Sequence, residues 1–228
     1  MKVSYLQNSP SFNSHCPDIR LGQHVCNTVN KEFPHYYFTK FLPMMRKNIS
    51  RTSNPSAFMQ LIMRFNECKL NYIENSVEYF NSLFEFINKF KCFNCGEAGQ
   101  LAELILKLNG IKNACTALIY DGNDNIHHEV CLFNRDGSEY NNVIKNRETI
   151  IVDPYTGICD FANNYFKQLG EDGVWKGHFK IDINDADKVQ RKYNLRNVRS
   201  RVIPEDYLDY IKMKFPKLEL KNIPQKKG

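Results

Sequence analysis

Three side chains, a cysteine, a histidine and an aspartate, have the types and the chain order that nucleophilic catalysis requires. Cys95 begins a predicted helix, His128 lies near the start of a predicted strand, and Asp153 follows the next strand. A cysteine nucleophile needs a base to accept its proton, and the base needs a carboxylate or an amide to orient it. A helix N-terminus that faces two adjacent strands supplies that geometry. The sequence therefore predicts a Cys–His–Asp site.

The energy needed to ionise a thiol explains why all three groups are required. A free thiol with a pKa near 8.5 is only a few per cent thiolate at about neutral pH. Lowering that pKa by about two units takes roughly 2.7 kcal/mol, whereas a helix terminus typically contributes about 0.3–1 kcal/mol. A neighbouring imidazolium must supply most of the difference. Asp153 would hold that imidazole in one tautomer and favour its charged form.

Two adjacent histidines compete for the role of base. Neighbouring residues on a strand point to opposite faces, so His128 shares a face with the apolar residues Val130 and Leu132. The face of His127 is mixed in character. We therefore predict that His128 is the base and keep His127 as an alternative and as a residue of the pocket.

Two further residues flank the predicted site. Asn94 precedes the nucleophile, and its side chain or the backbone N–H of Cys95 is a candidate for stabilising the oxyanion. Pro154 fixes the chain that leaves Asp153, which places Tyr155 as a candidate for the wall of the pocket.

The elements that must position these residues follow from the hydrophobic periodicity. It predicts helices in the first half of the chain, over 55–65, 73–90 and 95–108, the last closed by Asn109-Gly110. Three strands follow, over 114–120, 127–133 and 148–152, and then a short helix over 159–169. The last predicted elements are a strand over 178–183 and helices over 185–196 and 204–214. Helices followed by an antiparallel sheet indicate an α+β fold, with the nucleophile at the N-terminus of a central helix.

We expect three segments in the chain of 228 residues. Residues 1–50 contain four prolines and an aromatic cluster, and we predict an irregular N-terminal arm there. Residues 51–183 form the predicted catalytic core, with the motifs between 91 and 170. Residues 184–228 are predicted to be basic helices and a tail. The aromatic cluster consists of Phe33, Tyr36, Tyr37, Phe38 and Phe41.

Composition and charge exclude several classes of protein. The net charge of +6 is concentrated in residues 187–201 and 211–228, whereas a nucleic-acid binder spreads basic charge over its fold, so we expect no nucleic-acid partner. No run of about 18 apolar residues is present, which predicts no membrane span. The first twelve residues lack the apolar segment of a signal peptide. Several of the eight cysteines lie in apolar runs, which is typical of a reduced, cytoplasmic-type protein.

Other chemistries fit the sequence less well. Cys92 and Cys95 form a CxxC motif, but helix-like sequence precedes it, whereas a redox motif follows a strand. A zinc site from this motif with His128 and Cys131 lacks a second CxxC pair. We therefore expect no metal and no cofactor. The alternative to an enzyme is an inert fold that presents Phe33–Phe41 or the basic C-terminus to a partner protein.

The motifs together resemble a known group of enzymes. Asn94-Cys95-Gly96-Glu97 at a helix start, the histidine-led apolar strand, and Ile151-Val152-Asp153-Pro154 resemble the transglutaminase-like branch of the papain-fold superfamily. The resemblance covers residues 91–170 and implies a papain- or transglutaminase-like core. It assigns Cys95 as nucleophile, His128 as base and Asp153 as the orienting acid. The superfamily's usual upstream glutamine or aromatic residue at the oxyanion site is not evident in this sequence.

The resemblance also implies a function. Bacterial members of this group include effector and toxin domains that deamidate glutamine, cleave proteins or transamidate them inside a host cell. It therefore implies a thiol hydrolase with a host protein as substrate, a regulatory protein as a further partner, and delivery by a bacterial secretion system. Among the reactions, glutamine deamidation is our first choice, proteolysis the second and transamidation the third. The chain ends at Lys227-Gly228 without a clear terminating element, as expected of a segment of a longer protein.

Overall fold

The computed structural model describes residues 16–33, 36–37, 76–90, 92–93, 95–120, 126–140, 147–171 and 194–220. The helices of this part are α1 (Pro17–Glu32), α2 (Ser76–Phe90), α3 (Cys95–Leu108), α4 (Ala162–Glu171) and α5 (Glu205–Lys214), followed by a short 3₁₀ turn (Pro216–Leu218). Its strands are β1 (Tyr36–Tyr37), β2 (Cys92–Phe93), β3 (Cys115–Tyr120), β4 (Ile126–Asn134), β5 (Thr149–Asp153), β6 (Ile158–Phe161) and β7 (Asn194–Arg199). The fold is α+β, as predicted.

The main sheet places the predicted base and acid on neighbouring strands. Its strand order is β6-β5-β4-β3-β7, and all neighbouring strands are antiparallel. Strand β4 is central, and Cys131 of β4 lies opposite Val152 of β5. The pairing of β4 with β3 shifts register between Ile119 and Tyr120, next to His128. Such an irregularity locally changes the direction of a strand, and it lies at the end of β4 that carries His128.

Helix α3 packs in the centre of the molecule, and its residues from Glu97 to Leu106 are buried. An ideal Cβ on Gly99 would lie 3.3 Å from the carbonyl carbon of Val130 and 3.4 Å from the nitrogen of Cys131. The absence of a side chain at Gly99 therefore lets α3 approach the backbone of β4 closely. This contact fixes the distance between the start of α3 and the strand that carries His128.

Replacing Gly99 with Ala is expected to lower the free energy of unfolding by about 1 kcal/mol, because the added methyl group forces the helix away from the strand. Alkylation of Cys95 should slow as well, since the same shift separates the helix start from His128. Chemical denaturation and alkylation kinetics measure the two effects. A gain in stability, which the same substitution gives on an open helix surface, would contradict the close approach.

The C-terminus of α3 ends as the sequence predicts. Gly110 has a φ angle of 88°, a conformation that side chains with a Cβ rarely adopt. The N–H of Gly110 donates to the carbonyl of Lys107, and that of Ile111 donates to the carbonyl of Leu106. These two bonds form the Schellman motif that commonly closes a helix. Helix α3 therefore begins and ends at the predicted residues, 95 and 108.

The prediction of irregular structure is wrong for residues 17–32, which form helix α1. Pro17 lies in the first turn, where its missing N–H costs nothing. Leu21, Val25 and Val29 recur every four residues and are buried in the main core. The prolines that flank this segment obscured a helical pattern in the sequence. Arg135 at the end of β4 donates to Asp18 and holds the start of α1 against the sheet, with a 3.0 Å Nε–Oδ2 distance.

Two further elements differ from the prediction. The predicted helix over 159–169 is wrong for residues 159–161, which belong to strand β6, and α4 begins at Ala162. Asp160 fixes that boundary, because its carboxylate accepts a hydrogen bond from the N–H of Phe161 at 2.7 Å and others from Asn164 and Gln168. The predicted helix over 185–196 is wrong for residues 194–196, which begin strand β7. These residues form a strand because their backbone pairs with β3. The hydrophobic periodicity of the segment contains no signal for that pairing.

Some predictions fall outside the described residues. They concern the helix over 55–65, the strand over 178–183, residues 185–193 and Asn94. The division of the chain at residues 50 and 183 stays a prediction. Within the described part, no helix has both the length and the apolar composition that crossing a membrane requires.

Candidate active site

The carboxylate of Asp153 accepts five hydrogen bonds within the candidate site. It is buried at the end of β5, and its Oδ2 accepts hydrogen bonds from His128 Nε2 at 2.8 Å, Tyr165 Oη at 2.8 Å and Thr156 Oγ1 at 2.6 Å. Its Oδ1 accepts bonds from the backbone N–H groups of Tyr155 and Thr156 at 3.1 and 3.4 Å. Five donors converge on one carboxylate, which holds it in a single orientation.

These contacts determine the charge of Asp153. Burial alone would raise the pKa of the carboxyl group, since it disfavours the charged form. The positive charge of His128 and the hydrogen bonds from His128, Thr156 and Tyr165 act in the opposite direction and hold the pKa of Asp153 below its usual value. The aspartate is therefore ionised at neutral pH.

The imidazole of His128 connects Asp153 to the cysteine. Burial lowers its pKa, but the charge and hydrogen bond of Asp153 and the neighbouring Cys95 raise the pKa of His128 from 6.5 to about 10. Because Nε2 bonds Asp153, Nδ1 is the ring nitrogen that remains for proton exchange with Cys95. The ring of Tyr155 lies against the imidazole, with 5.6 Å between the ring centroids. His128 is therefore an imidazolium at neutral pH.

Cys95 combines a reactive position with access to solvent. It is the first residue of α3, where the backbone N–H groups of the first turn have no partner within the helix and favour negative charge. Cys95 and Cys16 are partly exposed, whereas Cys26, Cys115, Cys131 and Cys159 are buried. Burial raises the pKa of Cys26, Cys131 and Cys159 well above the usual value and that of Cys115 to about 12. Those four thiols are therefore protonated at neutral pH.

The structure brings Cys95, His128, Asp153 and Tyr155 together. The other predicted candidates are less fully described: His127 lies in β4 but its side chain is outside the described part, as is all of Asn94. In that part of the chain, no group of three or more His, Cys, Asp or Glu residues is arranged to hold a metal ion.

Tyr165 and Thr156 were missed by the sequence analysis. Thr156 could have been found, because an Asp followed three residues later by Thr is a spacing typical of a side-chain-stabilised turn. For Tyr165 the sequence contains no such signal, since its contact with Asp153 depends on how α4 packs on the sheet.

Helix α1 also supports the site, although the sequence analysis placed it in an irregular arm. Its residue Asn30 donates to the carbonyl of Pro154 at 2.9 Å, and Gln23 donates to the carbonyl of Gly157 at 3.2 Å. Both acceptors belong to the turn that follows Asp153. Helix α1 therefore holds the turn whose N–H groups bind the carboxylate.

Comparison of the chain with protein-family models, with curated proteins and with solved structures finds no match. The resemblance to the transglutaminase-like branch stays a prediction. The function proposed below therefore depends on the arrangement of Cys95, His128 and Asp153 itself.

Proposed function

We propose that this chain is a cysteine-dependent acyl-transfer enzyme that acts on amide groups of proteins, with a papain- or transglutaminase-like core. One observation supports the proposal most directly: His128 Nε2 bonds the buried carboxylate of Asp153 at 2.8 Å, and the charge of Asp153 together with the neighbouring Cys95 raises the pKa of His128 to about 10. A histidine with such partners supplies the imidazolium that a thiolate needs.

Each residue has a defined role in the reaction. The Cys95 thiolate attacks the carbonyl carbon of the substrate amide, forming a carbon–sulfur bond and an oxyanion. The oxyanion lies at the N-terminus of α3, where first-turn N–H groups can donate to it. As the intermediate collapses, the carbon–nitrogen bond breaks and His128 gives its proton to the leaving nitrogen. His128 then takes a proton from water, which attacks the thioester, releases a carboxylic acid and restores the thiol.

The leaving group distinguishes three reactions on the same site. Ammonia leaves in glutamine deamidation, a peptide amine leaves in proteolysis, and an amine replaces water as the acceptor in transamidation. We propose deamidation first and proteolysis second, and this order comes from the resemblance alone. Delivery into a host cell likewise stays a prediction.

The pH dependence of alkylation at Cys95 tests the proposal. We expect iodoacetamide to label Cys95 at about pH 6 at least tenfold faster than a free thiol, because the imidazolium of His128 stabilises the reacting thiolate. In His128→Ala this advantage should disappear. Cys16→Ala and His24→Ala are matched controls, since Cys16 is partly exposed and His24 is an exposed residue of α1. Intact and peptide mass spectrometry locate the label.

Two outcomes would overturn the proposal. Labelling at pH 6 that survives Cys95→Ala would assign the reactive thiol to another residue, and labelling indifferent to His128→Ala would leave the histidine without a role. An inert binding module would give a Cys95 that reacts like a free thiol.

With casein as a probe substrate, a mass gain of about one dalton per site indicates deamidation and fragments indicate proteolysis.

A further inference from the structure

A chain of hydrogen bonds leads from the core to a carboxylate beside the nucleophile. Tyr79 of α2 and Gln100 of α3 are buried, and the hydroxyl group of Tyr79 donates to Gln100 Oε1. The other end of the same amide, Gln100 Nε2, donates to Glu129 Oε1 at 3.1 Å. Because Tyr79 binds the amide oxygen, the amide nitrogen is directed at Glu129. The position of this carboxylate is therefore set by two buried side chains.

The carboxylate of Glu129 lies over the first turn of α3. An ideal Cβ on Gly96 would lie 2.9 Å from Glu129 Oε2, and Gly96 directly follows Cys95. Unlike Tyr79 and Gln100, Glu129 is partly exposed. One oxygen of the Glu129 carboxylate accepts a hydrogen bond from the buried Gln100. The other oxygen lies against the backbone of Gly96, next to the nucleophile.

A fixed negative charge in this place opposes the proposed chemistry unless a cation accompanies it. It repels a thiolate and an oxyanion at the same helix terminus. Within the described residues, no Lys or Arg forms an ion pair with Glu129, and the two cations buried at α3, Lys107 and Arg201, pair with Glu103. A positive group brought by the substrate would neutralise the charge of Glu129.

We propose that Glu129 is a specificity-determining residue that binds a basic side chain, Lys or Arg, next to the reacting amide of the protein substrate. This inference rests on the proposed function of Cys95. The substrate cation would form a charge-assisted hydrogen bond with Oε2 and cancel the repulsion that Glu129 exerts on the reacting sulfur.

The reaction rates of small charged thiol reagents at Cys95 measure the electrostatic effect of Glu129 on the nucleophile. The probes are two methanethiosulfonates of similar size, one with an ammonium group and one with a sulfonate, and each forms a mixed disulfide with Cys95 as methanesulfinate leaves. We expect the ratio of the cationic to the anionic rate at Cys95 to fall roughly fivefold or more in Glu129→Gln. Gln keeps an oxygen that accepts from Gln100, so the bond to the core survives. Peptide mass spectrometry assigns the modified cysteine.

Two control variants separate charge from structure. Glu129→Asp keeps the charge and should keep most of the wild-type ratio. Glu139→Gln removes an exposed carboxylate elsewhere and should leave the ratio unchanged. An unchanged ratio in Glu129→Gln, with labelling still dependent on His128, would overturn this inference alone. Labelling indifferent to His128 would instead overturn the proposed function.

Peptides test the specificity itself. In these peptides a chloromethyl ketone analogue replaces glutamine, so that the Cys95 thiolate displaces chloride, and the neighbouring residue is Lys or norleucine. We expect wild-type protein to react several-fold faster with the Lys peptides, and Glu129→Gln to lose that preference. Equal rates with both neighbours in the wild-type protein would overturn the inference.

Discussion

Replacing Asp153 with Asn is expected to lower the turnover of an amide substrate by about 10³- to 10⁴-fold while the fold persists. In the wild-type protein, three donors converge on Asp153 Oδ2, and His128 Nε2 is one of them. An amide at this position has one oxygen and an NH₂ group that donates. His128 would then accept at Nε2 and carry its proton at Nδ1, the nitrogen that must take a proton from Cys95. The wrong tautomer removes the base without removing the ring.

The same substitution should change how stability depends on pH. Because contacts in the folded state raise the pKa of His128 from 6.5 to about 10, its contribution to stability is fully present below pH 6.5 and is lost as pH rises toward 10. Asp153, whose pKa is lowered from 3.8, contributes above that value and loses its contribution as pH falls. We expect the decline between about pH 6.5 and pH 10 to be much smaller in Asp153→Asn. Urea denaturation over this range measures the difference.

A neighbouring aspartate provides the matched control. Asp160 is buried on the adjacent strand β6, and its carboxylate accepts hydrogen bonds from the N–H of Phe161 and from Asn164 and Gln168 of α4. Asp160→Asn should keep both turnover and the pH profile, because the hydrogen bonds of Asp160 serve the packing of α4 and Asn keeps an oxygen that accepts from the N–H of Phe161. Turnover in Asp153→Asn within tenfold of wild type would contradict the role of the carboxylate.

Replacing Glu103 with Ala is expected to lower the free energy of unfolding by about 3–5 kcal/mol, because it leaves buried positive charge uncompensated. Glu103 lies in the middle of α3 and is fully buried. Its carboxylate accepts hydrogen bonds from the guanidinium group of Arg201, from the backbone N–H of Arg201 at 2.9 Å and from Lys107 Nζ at 3.0 Å. Arg201 is itself 1% exposed and stacks over the ring of Tyr79.

An exposed ion pair serves as a control for the effect of burial on the stability that Glu103 contributes. Glu205 and Lys112 lie 4.0 Å apart, and both are largely exposed, so Glu205→Ala should change stability by less than about 0.5 kcal/mol. If Glu103→Ala does not fold well enough to measure, Glu103→Gln keeps the shape and should still cost more than about 2 kcal/mol. A loss below about 1 kcal/mol in Glu103→Gln would show that the buried charges find other partners.

Local patterns predicted the central part of the fold well. The first turn of α3, the apolar stripe behind it and Gly110 after it are all local signals, and so are the apolar strands β3, β4 and β5. The proximity of His128 and Asp153 followed from placing them on consecutive antiparallel strands. Chain neighbours and short-range spacing were sufficient for these predictions.

The features that the sequence analysis did not predict depend on contacts between residues that are far apart in the chain. Strand β7 is rich in Arg and Asn, and it is a strand because β3 offers an unpaired edge. Arg201 belongs to the basic run over 187–201, yet its side chain is buried against Glu103, 98 residues earlier. Tyr165 and Asn30 reach the turn after Asp153 through tertiary packing. A single sequence contains no local signal for such pairings.

The position of Arg201 has a consequence for biosynthesis. Glu103 and Lys107 leave the ribosome long before Arg201 does, and until then a nascent α3 has a buried carboxylate with only part of its counter-charge. The sheet likewise lacks its β7 edge until residues 194–199 emerge. Since α3 begins with Cys95, the proposed site should not be complete until residues 194–201 have been translated.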